Sequence, residues 1–509
     1  MVAIALALLL QDWKPELKDA AIPMRDGKSL AADVYLPSKP ARVPAVLIQT
    51  PYNKKSMGAP FATGREGAGE VGRGAFSDAV ALMDREHYAY VIVDWRGFYG
   101  SKAAMDGVAR GAWRRGQDGF DCVEWVAKQE WCDGKVGTWG GSALGKQQLD
   151  TAVEHPPHLV CAVPLIAAMG QEYSFYYPGG VYLESHVKTL DGLGFGVSRM
   201  ALEHPTEDNV WKFAKRTTYK PEEIQVPLLM ITGWWDHFPD QIIRTFEDVV
   251  AKGGESARKH SKLLIGPWDH VGVGVAKQGE RTFAGAEKAS AVAAKAFFDR
   301  WLRGVEGGWD RTARVRYWRV NEDGWGETES WSGMKRTVTA VKLAGGERSY
   351  VCDPKEASPT LGGANLPPQK HGPTDHSSLD GRKDVLAYDV KLEKALRVNG
   401  TAELSFEATV DRPCADFSAR LCDVVDGKPM HLADAIVRVR AKPGEKTRVT
   451  LAFPATAVTA KELKVYLTSA NWPRYERNPH TGADHWDEKI AVALSATIHD
   501  GVELRLPTE

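Results

Sequence analysis

The chain has 509 residues, of which 43% are hydrophobic and 26% charged, a composition typical of a globular protein with two or three domains. Its 65 Lys and Arg residues balance 66 Asp and Glu residues, so the excess positive charge that binds nucleic acids or anionic membrane surfaces is missing. The six cysteines form no C-x-x-C pair and none lies at zinc-ligand spacing from a histidine, so we expect no disulfide scaffold, metal site or other cofactor.

Residues Val2–Leu10 form an apolar run without a charge. The run is too short to span a bilayer but has the length of a signal-peptide core, which favours export from the cytoplasm. No Lys or Arg precedes it and no small-x-small cleavage site follows it before Gln11, so a first strand buried in a cytoplasmic protein is the alternative. No later stretch approaches about 18 consecutive apolar residues, so we expect no membrane-spanning helix.

From residue 30 onward, short apolar runs alternate with longer amphipathic stretches. Runs of Val, Ile and Leu without polar alternation indicate parallel strands that crossover helices cover on both faces. The predicted strands are Val43–Ile48, Tyr90–Val93, Val136–Trp139, Leu159–Leu165, Val226–Thr232 and Lys262–Gly266. The predicted helices are Phe76–Arg85, Gly119–Gln129 and one that ends at Phe297, Phe298, Trp301 and Leu302. The pattern predicts an α/β domain formed by residues 11–165 and 223–305.

Residues 166–222 interrupt this pattern with a Tyr-, Gly- and Met-rich segment followed by polar helical sequence, which predicts a small cap inserted over the sheet. After residue 306, apolar and polar residues alternate, which is typical of antiparallel strands with one buried face. The alternation is clearest at Ala402, Leu404, Phe406, Ala408, Val410, at Val449, Leu451, Phe453, and at Val492, Leu494, Ala496 and Ile498. Residues 306–509 are therefore predicted to form an all-β domain of sandwich type, in which residues 353–382 form a long loop.

The sharpest local motif is G-G-S-A-L-G at residues 140–145, which follows the predicted strand Val136–Trp139 and precedes a helical pattern. This order is typical of a nucleophile elbow, in which small residues permit a strained turn that exposes the serine hydroxyl. The helix N-terminus would place the backbone N–H of Ala143 near a developing oxyanion. The spacing departs from the commoner G-x-S-x-G pattern, because Leu144 occupies the position of the second glycine. The alternative is a glycine-rich turn in which Ser142 caps a helix.

A serine nucleophile needs a base, and the base needs an orienting acid, so the motif predicts a later Asp or Glu and then a His at strand ends. Asp236 follows a predicted strand that ends in G-W-W, and His270 follows one that ends in G-P-W-D. The order Ser142, Asp236, His270 is that of α/β-hydrolases, whose sites lie beyond the C-terminal ends of the strands. We therefore predict these three residues as a catalytic triad.

Three other residues are weaker candidates for the base or the acid. His237 and Asp269 are neighbours of Asp236 and His270 in the sequence, and adjacent residues do not readily form the bond that a triad requires. Asp240, in the same loop as Asp236, is a weaker rival for the acid.

A second oxyanion donor is expected from the loop after an early strand, where Tyr52 follows Val43–Ile48. A phenol O–H can donate to an oxyanion as a backbone amide does, although an aromatic side chain that only packs at the sheet end is the alternative. Several tryptophans lie close to the triad residues in the sequence, and core packing is the alternative to a role in an apolar substrate pocket. We expect Trp139, Trp235 and Trp268 to line this pocket.

Together these segments resemble the CocE/NonD hydrolases, a family that includes cocaine esterase, α-amino acid ester hydrolases, glutaryl-cephalosporin acylases and X-Pro dipeptidyl-peptidases. The similarity runs along nearly the whole chain. The segments that carry it are P-Y at 51–52, V-D-W-R-G at 93–97, W-C-D-G-K-V-G at 131–137, the elbow of Ser142, G-W-W-D at 233–236, G-P-W-D-H at 266–270, A-F-F-D at 296–299, R-K-D-V-L at 382–386 and N-W-P-R-Y at 471–475.

The resemblance implies an α/β-hydrolase domain with an inserted helical cap, a C-terminal jelly-roll domain and a site where the three meet. It also implies that Tyr52 O–H and Ala143 N–H form the oxyanion hole. The residue after the nucleophile is usually Tyr in this family and is Ala143 here, so we do not expect the substrate preference of any one member to transfer. Members that bind amines carry clustered acidic residues shortly after the triad aspartate, whereas Asp236 is followed by H-F-P-D, which disfavours ammonium-bearing substrates.

The expected function is hydrolysis of a small carboxylic ester through a Ser142 acyl-enzyme, without a cofactor. An amidase, acylase or dipeptidyl-peptidase is the alternative within this chemistry, because amides and esters share the acyl-enzyme and differ mainly in leaving-group protonation. A binding protein, with a jelly roll that holds a carbohydrate or another partner beside an inactive hydrolase domain, is the alternative from another class. The sequence is compatible with a monomer or a homo-oligomer.

Overall fold

The computed structural model describes residues 13–39, 41–57, 82, 84–109, 111 and 113–509. The apolar run Val2–Leu10 lies outside the described residues, as does the predicted helix Phe76–Arg85 apart from Leu82, Asp84 and Arg85. Both assignments therefore stay predictions. Within the described ranges, no helix is long and apolar enough to cross a membrane.

A ten-stranded mixed sheet organises the N-terminal part of the chain. The first twelve strands are β1 (Leu17–Pro23), β2 (Ser29–Tyr35), β3 (Val43–Thr50), β4 (Ala89–Asp94), β5 (Cys132–Gly141), β6 (Leu159–Leu165), β7 (Leu229–Trp235), β8 (Lys262–Asp269), β9 (Lys277–Gln278), β10 (Arg281–Thr282), β11 (Val315–Arg319) and β12 (Gly324–Thr328). The sheet order is β1-β2-β4-β3-β5-β6-β7-β8-β11-β12, and β9 pairs with β10 in a separate hairpin. Strands from β4 to β11 in this order are parallel, whereas β1, β2 and β12 are antiparallel to their neighbours.

The six strands that the apolar runs predict are all present, and five of them continue further at their C-terminal ends. Every residue of β3 and β4 is buried, because parallel neighbours and crossover helices enclose them. The α-helices that lie wholly within the described residues are α1 (Arg115–Ala127), α2 (Ala143–Val153), α3 (Glu184–Gly192), α4 (Ser198–Glu203), α5 (Asn209–Thr218), α6 (Pro239–Lys252), α7 (Glu255–His260) and α8 (Ala289–Leu302). Helices α1 and α8 confirm the predictions for Gly119–Gln129 and for the helix that ends at Leu302.

The segment between β6 and β7 contains the short helices α3, α4 and α5 in place of a strand. Toward the end of this segment, Asp208 caps the N-terminus of α5. Its carboxylate accepts hydrogen bonds from the backbone N–H groups of Val210 and Trp211. Residues of this cap also pack against the C-terminal part of the chain in a small apolar cluster, which consists of Val181, Leu183, Ile436 and Tyr475. The cap therefore contacts the second domain.

The C-terminal part of the chain forms a second, antiparallel sheet. Its strands are β13 (Thr337–Lys342), β14 (Arg348–Cys352), β15 (Val385–Gly400), β16 (Glu403–Val410), β17 (Cys414–Val425), β18 (Lys428–Arg440), β19 (Lys446–Ala452), β20 (Thr456–Thr468), β21 (Leu494–Ile498) and β22 (Glu503–Thr508). The order is β14-β21-β16-β22-β15-β20-β17-β18, with β13 paired to β22 and β19 to β16. The architecture confirms the prediction of an α/β fold followed by an all-β domain.

The alternating apolar residues of β16 and β19 are buried as predicted, and so are Leu494, Ala496 and Ile498 of β21. Val492 is an exception. It is exposed and precedes β21, because its backbone N–H donates to the carbonyl of Pro479 in a loop instead of pairing in the sheet.

The first sheet extends beyond residue 306, where we expected the second domain to begin. Strand β11 pairs in parallel with β8, with Val315 opposite Leu263, and β12 completes the edge as an antiparallel hairpin. Val315 and Tyr317 are buried against this sheet. An edge hairpin has the same apolar alternation as a strand of a β-sandwich, so the sequence pattern does not separate the two.

Gly179 connects the cap to the second domain through a close backbone approach. It has φ +60°, and a Cβ atom at this position would lie 1.8 Å from the carbonyl oxygen of Ile436. We expect Gly179→Ala to lower the free energy of unfolding by about 2–4 kcal/mol, since both the backbone strain and the overlap must be relieved. Thermal unfolding followed by circular dichroism measures the change.

Gly427 provides the matched control for this variant. It has φ +75° in the β17–β18 turn, and a Cβ atom there would have open space within 4 Å. Gly427→Ala should therefore cost only the backbone strain, about 1–2 kcal/mol. Equal losses in the two variants would contradict the importance of the contact between Gly179 and β18.

Candidate active site

Ser142 lies at the sharp turn between β5 and α2. Its backbone has φ +57° and ψ −120°, a left-handed conformation that costs free energy for a residue with a side chain. The turn is held on both sides, because Ser142 N–H donates to the carbonyl of Leu165 at 2.9 Å and the Ser142 carbonyl accepts from Lys146 N–H at 3.0 Å. This geometry is that of the predicted nucleophile elbow.

Glycines next to the turn are required by close packing. A Cβ atom at Gly140 would lie 2.7 Å from Cβ of Leu144, and one at Gly145 would lie 2.5 Å from Cβ of Ala167. Leu144 is buried in the core, so the side of α2 that approaches the end of β6 is occupied by Gly145. This packing explains why the second glycine comes one residue later than in G-x-S-x-G.

The structure brings Ser142, Asp236 and His270 together, as the sequence predicts. The Ser142 hydroxyl donates to Nε2 of His270 at 2.9 Å, and Nδ1 of His270 donates to Oδ1 of Asp236 at 2.7 Å. Asp236 follows β7 and His270 follows β8, and these neighbouring parallel strands end at the same edge of the sheet. A serine, an imidazole and a carboxylate in this order form the arrangement that activates a hydroxyl nucleophile.

The carboxylate of Asp236 is buried and held by two further hydrogen bonds. The Thr232 hydroxyl donates to Oδ2 at 3.0 Å, and the backbone N–H of His237 donates to Oδ1 at 2.7 Å. These bonds fix the carboxylate plane toward His270. Thr232 was not among the residues predicted for the site. Its position on β7, four residues before Asp236, could have indicated that its hydroxyl lies near the carboxylate.

The two rival carboxylates have other partners. Asp269 accepts from the backbone N–H groups of the following loop and from Nδ1 of His371 at 2.6 Å, and this bond raises the pKa of His371. Asp240 accepts from the backbone N–H of Ala455 at 3.0 Å, and burial raises its pKa to about 6. Both carboxylates therefore support loops around the site, whereas Asp236 contacts the imidazole of His270.

Two further histidines pack beside the imidazole of His270. His237 stacks on it with ring centroids 5.0 Å apart and planes 21° apart, and His186 contacts His237 edge to face at 4.7 Å. Burial lowers the pKa of His186 to about 3 and holds the pKa of His237 well below its ordinary value. Both rings are therefore neutral at neutral pH and restrict the movement of His270 without repelling its protonated form.

Tyr52 follows β3 and places its phenol beside the elbow. The hydroxyl interacts with the Ser142 side chain and with the backbone N–H of Ala143. Burial raises the pKa of Tyr52 to about 12, although these two hydrogen bonds oppose the shift. The phenol therefore keeps its proton at neutral pH and remains a donor. The two donors that the sequence predicts for an oxyanion, Tyr52 O–H and Ala143 N–H, thus lie next to each other beside Ser142.

These groups open into a cavity of about 580 Å³. Tyr52, Ser142, Ala143 and His270 belong to its lining, and the remaining surface is mainly apolar and aromatic. The apolar part comes from the segment after β4, from the cap and from the start of α6; its large side chains are Trp95, Phe98, Met105, Trp113, Phe175, Tyr176, Leu190, Phe195 and Phe238. The volume and lining suit a small organic substrate.

The structure contradicts the pocket role expected for Trp139, Trp235 and Trp268. All three are at most 1% exposed, and none belongs to the cavity lining. The indole N–H of Trp235 donates to the carbonyl of His431, and Trp268 packs edge to face on Trp325. Side chains on buried strands point into the core, so the pocket tryptophans come instead from Trp95 and Trp113, on the segment after β4.

One group of metal-ligand side chains occurs among the described residues. Asp236, His237 and His270 each place a donor atom within 4.8 Å of the others. The donor atoms of Asp236 and His270 are hydrogen-bonded to each other. A metal ion there would replace this hydrogen bond, which connects Asp236 through His270 to Ser142. The six cysteines are buried and unpaired, and none lines the cavity.

Comparison with known proteins places this site in a family. The X-Pro dipeptidyl-peptidase (S15 family) profile matches residues 26–196 and 192–272, and the profile of the X-Pro dipeptidyl-peptidase C-terminal non-catalytic domain matches residues 307–503. The chain is 27% identical to cocaine esterase from Rhodococcus sp. (strain MB1 Bresler), over 95% of this chain and 96% of that protein. The chain belongs to the CocE/NonD family. It is a serine hydrolase, as the resemblance implies.

Solved structures share the whole architecture of this CocE/NonD hydrolase. An aminopeptidase from a marine sediment archaeon, Thaumarchaeota archaeon, has a TM-score of 0.81 at 18% identity, with 98% of this chain and 97% of that chain covered. A CocE/NonD family hydrolase from Staphylococcus aureus has a TM-score of 0.68 at 18% identity, with 97% and 93% covered. The C-terminal family profile begins at residue 307, close to the expected boundary, although β11 and β12 complete the first sheet.

The hydroxyl of Thr232 should matter for turnover because it donates a hydrogen bond to Asp236, the predicted acid of the triad. We expect Thr232→Val to lower kcat by about 5- to 20-fold, since a hydrogen bond to a buried charge is lost. Hydrolysis of para-nitrophenyl acetate measures the effect. Thr232→Ser, which keeps the hydroxyl, is the control and should retain most of the activity. Equal activity in the two variants would argue that the bond does not position Asp236.

Proposed function

We propose that the protein hydrolyses carboxylic esters through an acyl-enzyme on Ser142. The observation that carries this proposal is the continuous hydrogen-bonded chain from Ser142 Oγ through His270 to Asp236, at 2.9 Å and 2.7 Å. The Ser142 end of this series of hydrogen bonds lies in a mainly apolar cavity, beside the two predicted oxyanion donors. No cofactor is needed for acyl transfer by this set of groups.

In the first half of the reaction, His270 Nε2 takes the proton of Ser142 as Oγ attacks the ester carbonyl. The negative charge moves to the carbonyl oxygen, where Tyr52 O–H and Ala143 N–H stabilise it. Asp236 stabilises the imidazolium and keeps Nδ1 as the protonated nitrogen. Collapse of the tetrahedral intermediate breaks the ester bond, and His270 Nε2 gives its proton to the leaving alcohol.

In the second half, a water molecule replaces the alcohol. His270 Nε2 takes a proton from this water as its oxygen attacks the acyl carbonyl, and the same two donors bind the new oxyanion. The bond between Ser142 Oγ and the acyl carbon then breaks, and the proton on His270 returns to Oγ. The carboxylic acid leaves and the resting hydrogen bonds form again.

Ester hydrolysis is favoured over peptide cleavage by the charge of the cavity. An aminopeptidase or dipeptidyl-peptidase must hold a free α-ammonium group, and a carboxylate is the usual partner for it. No Asp or Glu belongs to the cavity lining among the described residues. The alternative is an amidase or acylase that acts on substrates without an ammonium group. The unbroken series of hydrogen bonds from Ser142 through His270 to Asp236 argues against a binding protein with an inactive hydrolase domain.

Ser142→Ala tests the proposed nucleophile. We expect kcat for para-nitrophenyl esters to fall by about 10⁴- to 10⁶-fold, because no acyl-enzyme can form. Intact-protein mass after treatment with a fluorophosphonate should show one adduct on the wild type and none on the variant. Matched ester and anilide substrates compare esterase with amidase activity, and faster turnover of the anilide would favour the alternative. A folded wild type without an adduct would refute the proposal.

Tyr52→Phe tests the oxyanion hole. The variant keeps the ring and its edge-to-face contact with Phe195 but removes the O–H donor. We expect kcat to fall by about 10²- to 10³-fold with a smaller change in KM, because the oxyanion exists only in the transition state and the intermediate. Steady-state kinetics with para-nitrophenyl acetate measure both constants. An unchanged kcat would remove Tyr52 from the mechanism.

A further inference from the structure

The charged side chains of the cavity lining all belong to basic residues. They are Arg96, Arg115 and Lys146, and among the described residues of the lining there is no Asp or Glu. The contribution of each cation to a bound substrate depends on whether a protein carboxylate already neutralises it. The three side chains differ in their partners.

Both arginines are neutralised by the protein. Arg96 is buried and pairs with Asp118 at 2.7 Å and with Asp26 at 2.7 Å. Arg115 pairs with Asp150 at 2.9 Å. A substrate carboxylate would have to compete with these carboxylates for either guanidinium group.

Lys146 differs because it forms no ion pair with a described residue. Its Nζ donates to two neutral groups, the carbonyls of Ala168 at 3.1 Å and of Gly170 at 2.7 Å, and lies 4.8 Å from the ring centroid of Phe175. Burial lowers the pKa of Lys146 to about 8, so the amine still carries its charge at neutral pH. Among the described residues, the cavity therefore contains one half-buried cation without a counter-ion.

Neither nearby acid supplies this counter-ion, since Asp150 already pairs with Arg115. Glu172 pairs with Lys215 at 3.0 Å and with Arg244 at 2.7 Å, so two cations already share its charge. A cation that is partly withdrawn from water without a charged partner is unfavourable, and a negatively charged ligand group would supply the missing partner. An ammonium group on the substrate would instead meet a like charge.

Lys146 also lies close to the reacting atoms. It is four residues after Ser142 on α2, and its backbone N–H donates to the Ser142 carbonyl. One helical turn, roughly 6 Å along the axis, separates the two residues. A short substrate chain can therefore connect a carbonyl at Ser142 with a charged group at Lys146.

We propose that the enzyme prefers esters with a negatively charged group, such as a carboxylate, on the part that fills the cavity, and that Lys146 determines this specificity. The proposal rests on the proposed esterase function of Ser142. It assigns the class of substrate, an anionic ester, and it predicts discrimination against esters that carry an ammonium group.

A purely structural role for Lys146 makes a different prediction. Its two carbonyl contacts join α2 to the beginning of the cap, so loss of the amine would then affect all substrates alike. The informative quantity is thus the ratio of kcat/KM for an anionic ester to kcat/KM for a neutral ester of the same shape. A general effect on folding or on the triad changes kcat/KM for both esters by the same factor and leaves their ratio unchanged.

The experiment uses three para-nitrophenyl esters whose pentanoyl chains end in a sulfonate, a tert-butyl or a trimethylammonium group. The sulfonate replaces a carboxylate because a carboxylate attacks its own ester. A second series carries the same three groups on the alcohol of acetate esters and is followed by pH-stat titration. We expect the anionic ester to exceed the neutral one by at least about tenfold in kcat/KM in one series, with the cationic ester slowest. No preference in either series would overturn the proposal.

Lys146→Met assigns the preference to this side chain. The ratio of anionic to neutral kcat/KM should fall to near one. Lys188→Met is the control, since it removes one charge from an exposed lysine that pairs with Glu184 outside the lining, and its ratio should stay at the wild-type value. A ratio that persists in Lys146→Met would overturn the assignment. Fluorophosphonate labelling of Ser142 is measured in parallel, so loss of the esterase itself is distinguished from loss of the preference.

A measurement on the wild type remains informative if Lys146→Met does not fold. Because the pKa of Lys146 is lowered to about 8, the ratio should be high below this pH and fall as the pH rises through it. The charged groups around Lys146 are Arg115, Asp150 and Glu172, together with the partners of Glu172 on α5 and α6. Arginine, lysine and carboxylate side chains ordinarily keep most of their charge in this range. A ratio constant from pH 6.5 to about 9.5 would contradict the role of Lys146.

Discussion

The strained turn at Ser142 is the constraint on which the site depends. A left-handed serine between a strand and a helix persists only where neighbouring groups leave it no other conformation. Here the carbonyl of Leu165 holds its N–H, and glycines at 140 and 145 let α2 approach the end of β6. The same turn directs Oγ into the cavity and leaves the N–H of Ala143 at the helix N-terminus, so the proposed nucleophile and the proposed oxyanion donor depend on one local packing arrangement.

The parallel sheet explains why so much of the site could be predicted from the sequence. Ser142, Asp236 and His270 are far apart in the chain, but each follows an apolar run that ends at the same edge of the sheet. Runs of this kind are visible without a structure, and the order of the three residues then restricts the chemistry. Tyr52 could be placed by the same argument, because it follows β3.

Features that depend on side-chain direction could not be predicted in this way. Nearness in the sequence suggested that Trp235 and Trp268 line the pocket, whereas strand residues alternate between faces and these two are enclosed in the core. The position of Lys146 four residues after Ser142 was visible, but its lack of an ion pair depends on how Glu172 and Asp150 are already matched. Likewise, the alternation of β11 does not reveal which sheet it joins.

The loop that carries Asp236 is held partly by the C-terminal domain. The indole N–H of Trp235 donates to the carbonyl of His431, and the backbone N–H of Ala455 donates to Asp240 on α6. The domain that the family profile describes as non-catalytic therefore holds the segment on either side of Asp236, the proposed acid of the triad. It follows that the two halves of this enzyme are not interchangeable modules. Chimeras that join its hydrolase domain to a relative's β domain must preserve these two contacts if the imidazole is to keep its orientation.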